Sequence, residues 1–322
     1  MNILEVKNLK TYYKTERGYV KAVEDVSFEL EKGEALGIAG ESGCGKTTIA
    51  LSILKILPPN AIIPSGKIIF RGIDITKLSE EEIRKQIRWR GISLVFQGAM
   101  NALNPVYKVS DQIVEAITLH MPEISKKEAY ERAVKLFELV GIDPSRLDHY
   151  PHEFSGGMKQ RAMIAMALAC NPDILIADEP STALDVIVQA QILLLLRQLK
   201  EKLNLSLIVI SHDLSVIAET CEKIAIMYGG RIVEYGDILS VFQKGMHPYT
   251  QGLLNAFPKI SSQRMKLAAI PGSPPDLLDP PKGCKFIERC KFAMSICEKI
   301  DPQLLEIEKN HKVACHLYST IR

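Results

Sequence analysis

The chain has 322 residues, 47% of them hydrophobic and 24% charged. That is the balance of an ordinary globular protein, with room for one large domain and an appendage or for two domains. The net charge of +2 comes with no basic stripe of the kind that marks a dedicated nucleic-acid binder. The opening "MNILEVKNLK" lacks a secretion leader, and apolar runs such as "AMIAMALAC" fall short of the roughly 18 residues a membrane span needs, so a soluble, cytoplasmic protein is expected.

In chain order, "VSFEL" (26–30) alternates like a half-buried strand, and "EALGIAG" (34–40) reads as a short buried strand ending in glycine. A helix is predicted from Lys46. "SLVFQ" (93–97), "DILIADE" (173–179) and "LSLIVISHD" (205–213) are further buried strands. Between the last two, residues 188–204 carry an amphipathic helix pattern, so strand, helix, strand implies parallel pairing in an α/β fold. From about 98 to 165 the text is helical, with Ser110 and Ser125 as expected N-caps and Gly141 as a helix end. "IAIMYGGRIVEYG" (224–236) predicts a hairpin turning at Gly229-Gly230. The proline-rich "IPGSPPDLLDPPKG" (270–283) is expected to run extended over a surface.

Three stretches carry chemistry. "GESGCGKT" spans Gly40, Glu41, Ser42, Gly43, Cys44, Gly45, Lys46 and Thr47, with Thr48 following, and it sits between a strand and a helix. Such a loop wraps its amides around phosphate oxygens; the lysine reaches the β- and γ-phosphates and the threonine hydroxyl ligates Mg²⁺. "ILIADE" delivers Asp178 and Glu179 to a strand's C-terminal end, where α/β sheets bind ligands; Asp178 is expected to hold Mg²⁺ through water and Glu179 to polarise the attacking water. "FSGGMKQR" places Ser155 as N-cap over Gly156 and Gly157, making a second anion-suited helix start between Phe154 and Met158. A second such site makes sense where one subunit closes over a nucleotide held by another. Cys44, at a helix N-terminus, is expected to have a lowered thiol pKa and to be alkylated unless Mg-ATP protects it.

The tail raises a separate question. Cys284, Cys290, Cys297 and Cys315 follow a C-x₅-C-x₆-C-x₁₇-C spacing. A reducing compartment argues against disulfides, and the close knuckles of structural zinc sites are missing, though zinc, disulfides or plain packing stay open. Cys170 and Cys221 read as buried small residues, and His311 and His316 as surface residues.

The three motifs, in this order and spacing, resemble the nucleotide-binding subunit of an ABC transporter over nearly the whole chain. Met158 in place of the usual glutamine, "QGAMNALNP" (97–105), "HPYT" (247–250) and the cysteine tail are similar to the dipeptide, oligopeptide and nickel importer branch. The resemblance implies a P-loop core with an N-terminal antiparallel β subdomain, a helical insertion at about 98–165 and a small cysteine-bearing appendage. The nucleotide-binding domain would span 1–255 and the extension 256–322. It assigns Gln97 to Mg²⁺, water and coupling, His212 to the γ-phosphate, Asp185 to a dimer interface, and Tyr13, with Tyr12 competing, to adenine. It implies ATP and Mg²⁺, a [4Fe-4S] cluster on the four tail cysteines, a second ATPase subunit, two transmembrane permease subunits and an external solute-binding protein. No nucleic acid is implied, and the place is the cytoplasmic face of the membrane. The rival readings are a soluble ABC-type ATPase acting on DNA or ribosomes, and an exporter ATPase; the single cassette without heptads argues against the first, "HPYT" and the tail against the second.

Overall fold

The computed structural model describes residues 1–98, 102–256 and 270–318. Two compact units interleave along the chain: Met1–Ile3, Leu30–Ala35 and Phe70–Ser211 form one, and Leu4–Glu29, Leu36–Ile69 and His212–Arg322 the other.

In the first unit, strands Ile92–Val95, Ile174–Asp178 and Ser206–Ser211 pair in parallel, Val95 opposite Ala177 and Asp178 opposite Ile210. Every residue of the last two strands is buried, as their unbroken apolar runs require. The helix Val186–Leu203 connects them, burying Ile192, Leu193, Leu195, Leu196 and Leu199. Helices Val109–His120, Lys126–Leu139 and Gly156–Ala167 pack on one another. Ser125 caps the second through a full capping box with Glu128, and Gly141 follows its end with φ +71°. The expected Ser110 cap is corrected: Lys108 takes the N-cap position, and the Ser110 hydroxyl donates to Asp148 at 2.7 Å. The backbone amides of Val109 and Ser110 are met by the carbonyls of His149 and Leu147, so this helix start needs no side-chain cap.

In the second unit, strands Gly18–Glu31, Asn2–Thr15 and Ala61–Phe70 lie side by side in that order. Val26, Phe28 and Leu30 point inward between more exposed neighbours, as alternation predicts. The fully buried strand Ala35–Ala39 pairs in parallel with Lys223–Tyr228. That strand turns at Gly229 (φ +56°) and Gly230 (φ +80°) into the antiparallel Arg231–Asp237, the left-handed pair a two-residue hairpin requires. The proline-rich segment forms no helix or strand; its Leu277 carbonyl accepts from the Lys21 amide at 2.9 Å.

The tail joins this sheet, which its spacing of cysteines did not foretell. His311–Val313 pairs antiparallel with Arg231–Asp237, setting His311 opposite Gly236, and Leu305–Glu308 adds beyond it. His311 is fully buried and His316 is 9% exposed, correcting the surface assignment of both. Strand pairing carries His311 inward, where its Nε2 meets the buried Glu234 carboxylate at 2.7 Å. Cys170 and Cys221 are buried as expected.

All seven cysteines are free thiols. Burial is the main cause that pushes Cys284 up to about 12 and Cys315 up to about 11, with neighbouring tail thiols adding to it. The tail thiols therefore share one region, yet among the described residues no group of three or more His, Cys, Asp or Glu side chains is placed to hold a metal ion. The [4Fe-4S] expectation, and zinc with it, finds no support in this geometry. The tail is anchored instead by strand pairing, by ion pairs from Asp301 to Arg231 and Lys285, and by Phe286 packing against Tyr228 and Tyr249.

Candidate active site

The phosphate loop follows Ala39 and runs into helix Lys46–Leu54. Two of its glycines are dictated by space and conformation. Gly40 has φ +154°, and a Cβ there would lie 2.3 Å from the Met227 carbonyl oxygen; Gly45 has φ +103°, and a Cβ there would lie 2.1 Å from that of Ala22. The Lys46 ammonium is 6% exposed and donates to the Gly40 and Glu41 carbonyls at 2.7 and 3.0 Å. Thr47 and Ser42 stand exposed at the loop's surface. Tyr13 reaches Thr48 at 3.1 Å, whereas the Tyr12 hydroxyl is tied to Glu24 at 2.5 Å. Of the two competing tyrosines, Tyr13 is thus the one beside the loop.

Cys44 departs from expectation. Its thiol is 5% exposed, and burial raises its pKa. The Lys46 charge 3.8 Å away pulls the other way and is outweighed.

In the other unit, Asp178 closes its strand and is 2% exposed. Glu179 follows with φ +48°, a left-handed conformation that costs a non-glycine residue about 1–3 kcal/mol. Its amide is held by the Ile210 carbonyl at 2.8 Å. That turn aims its carboxylate at Gln97, whose amide donates at 3.1 Å, and at Thr182, whose hydroxyl donates at 2.8 Å. Gln97 and Glu179, 82 residues apart, therefore meet. Thr182 was not anticipated; its place three residues past the glutamate, in a turn, is the only signal it left. Residues 99–101 of "QGAMNALNP" lie outside the described residues.

Ser155 caps helix Gly156–Ala167, its hydroxyl accepting from the Met158 amide at 3.3 Å. Phe154 is buried edge-on to Phe137, and a Cβ on Gly157 would lie 2.7 Å from Val188. Asp185 caps the helix Val186–Leu203 through the Val188 amide at 2.9 Å. Next to it Val186 and Ile187 are 80% and 73% exposed, an apolar step on the surface. His212 is exposed after the strand Ser206–Ser211.

Known proteins share this sequence and fold. Residues 23–182 match the ABC transporter family, and residues 233–297 match the C-terminal region of oligopeptide/dipeptide transporters. A probable peptide ABC transporter ATP-binding protein of Sinorhizobium fredii is 47% identical over 97% of this chain and 94% of its own length. This chain belongs to the ABC transporter ATP-binding family. The oligopeptide transport ATP-binding protein of Bacillus subtilis is 48% identical over 97% of this chain and 87% of its own. Among solved structures, a dimeric ATP-binding cassette in a post-hydrolysis state, bound to ADP and Pi, matches at TM-score 0.65 and 29% identity, covering 73% of this chain and 98% of that one. Membership in this family makes the chain an ATPase of transport, and the α/β cassette with its antiparallel β sheet and packed helices is that of its structural relatives.

Two side chains at the phosphate loop of this ABC subunit went unnoticed in the sequence. Tyr249, inside the "HPYT" segment, accepts from the Glu41 amide at 2.9 Å. Arg289, between tail cysteines, pairs with the Glu41 carboxylate at 2.7 and 2.9 Å. Neither is near residue 41 in sequence, so no local pattern announces them.

Proposed function

We propose that this chain powers import of di- or oligopeptides across the cytoplasmic membrane. The observation that carries the reading is the match of residues 233–297 to a region particular to oligopeptide/dipeptide transporters, joined to relatives named for peptide transport at 46–48% identity. Residues 1–255 act as the nucleotide-binding domain, with helical insertion 98–165, and 256–322 as the extension. Among the described residues no helix is long and apolar enough to cross a membrane, so transport needs membrane-spanning partners. Those are two permease subunits at whose cytoplasmic face this chain sits, a second ATPase subunit, and a solute-binding protein outside.

The phosphate loop, Gly40 to Thr48, binds the ATP phosphates. Lys46 meets the β- and γ-phosphates, and Tyr13 stacks on adenine. Thr47, Asp178 and Gln97 would hold Mg²⁺, which would offset charge on the phosphates. Glu179 orients and deprotonates the attacking water; Gln97 and Thr182 fix its carboxylate for that task, and His212 assists at the γ-phosphate. Phe154 to Met158 of the opposing subunit close over the same nucleotide, with Asp185 at the interface. Positioning and charge neutralisation do most of the work in such a transfer, with general-base help worth about 10²–10⁴ in rate.

Gentle purification from native membranes tests the reading. Two multi-span subunits, a second ATPase and a solute-binding protein loaded with peptide are expected to accompany the chain. Recovery with ribosomes or DNA would overturn the transport role, and a non-peptide ligand on the binding protein would overturn the cargo.

A further inference from the structure

The tail reaches the phosphate loop through one side chain. Arg289 closes the short turn Ile287–Arg289, and its side chain is only 4% exposed. All five of its N–H donors are committed. Nε donates to the Pro271 carbonyl at 2.8 Å, and Nη1 to Glu41 at 2.7 Å and to the Tyr228 hydroxyl at 3.3 Å. Nη2 donates to the other Glu41 oxygen at 2.9 Å and to the Ile270 carbonyl at 3.3 Å. The guanidinium also lies over the rings of Tyr228 (5.6 Å) and Phe286 (5.9 Å). A planar fork held this way has no freedom to swing, and it fixes whatever carboxylate it grips.

What it grips is the second residue of the phosphate loop. Glu41 is held at three points: its carboxylate by Arg289, its amide by the Tyr249 hydroxyl, and its carbonyl by the Lys46 ammonium at 3.0 Å. A phosphate loop binds through the directions of its amides and of its lysine, so the tilt of residue 41 sets part of that geometry. We infer that Arg289 is a positioning residue for ATP: by clamping Glu41 from the tail, it holds the phosphate loop and Lys46 in the shape that binds nucleotide. The cysteine-bearing extension then serves the ATP site directly. This rests on the nucleotide-binding reading above.

The test uses the full-length chain, with MgATP affinity measured by fluorescent-nucleotide competition and steady-state hydrolysis measured alongside. Arg289→Met keeps the stem and removes the fork. It is expected to raise Kd and KM for ATP about tenfold while kcat at saturating ATP stays within about twofold, because binding geometry is lost and Glu179 is untouched. Arg289→Lys keeps the charge without the bidentate fork and should raise Kd about threefold. In a Glu41→Gln background, Arg289→Met should add little, since the two act as one unit. Asp301→Asn cuts a different tail anchor, the pair with Arg231; it should lower the melting temperature and leave ATP affinity alone. An Arg289→Met chain that is folded and binds ATP as the parent does would overturn the inference. So would equal losses of affinity in Asp301→Asn and Arg289→Met, which would assign the effect to tail docking in general. If Arg289→Met does not fold, Arg289→Lys against Asp301→Asn decides by the same comparison. A parent chain that binds no ATP would sink the nucleotide reading instead.

Discussion

Cys44 shows two local effects competing at one atom. A helix N-terminus and the Lys46 ammonium both favour its thiolate, but the thiol is buried and desolvation wins. The native chain is therefore expected to resist iodoacetamide at Cys44 near pH 8, with a labelling rate at least about tenfold below that of an exposed thiol and insensitive to Mg-ATP. Peptide mass spectrometry after timed labelling measures this directly. Rapid modification of Cys44 that Mg-ATP blocks would restore the reactive-thiol view. Glu179 is the reverse case: a strained backbone is retained where the side chain's aim is functional.

At the scale of elements, the end of the hairpin Lys223–Asp237, the "HPYT" segment and the tail strand His311–Val313 meet at one buried carboxylate. Glu234 is fully buried and accepts from the Met246 and His247 amides at 2.8 and 2.9 Å and from His311 at 2.7 Å. His247 beside it accepts from the Tyr249 amide through Nδ1 at 3.0 Å, so its proton sits on Nε2 and the ring is neutral. Burial lowers its pKa from 6.5 to about 4, against the opposing pull of Glu234. The unfolded chain thus takes up this proton below about pH 6.5 while the folded chain does not until about pH 4. Stability rises with pH across that window and falls as pH drops through it, by about 3 kcal/mol in total for this group. His247→Asn keeps an acceptor for the Tyr249 amide and cannot titrate, so the slope of melting temperature against pH between 6.5 and 4.5 should flatten. An unchanged slope would assign the acid sensitivity to other groups.

At the scale of the whole molecule, the apolar step at Val186 and Ile187 beside Asp185 and the Ser155 helix start are surfaces that a second ATPase subunit would cover. Glu179→Gln removes the base and keeps the hydrogen-bonding shape. Its ATPase rate is expected to fall by about 10²–10⁴ while ATP binding persists, and ATP should hold the subunits closed as a stable dimer in sedimentation analysis. Turnover at the parent rate would refute the assignment of the base.

The phosphate loop, the acidic strand end and the serine-capped helix were legible in the sequence because each is local chemistry. A loop that wraps phosphate needs glycines at fixed steps, a buried strand needs an unbroken apolar run, and a capped helix needs its serine next to its start. Parallel strands and the glycine hairpin followed from periodicity and turn residues for the same reason. What only the tertiary structure decided are the encounters between distant segments: Gln97 with Glu179, His311 with Glu234, and above all Arg289 with Glu41, 248 positions apart. The cysteine spacing left the tail's role open, and the structure shows the tail held by strand pairing, ion pairs and stacked rings. Spacing along a chain constrains contacts over a few residues; whether thiols converge, or a thiol is buried, depends on packing that the whole chain settles together.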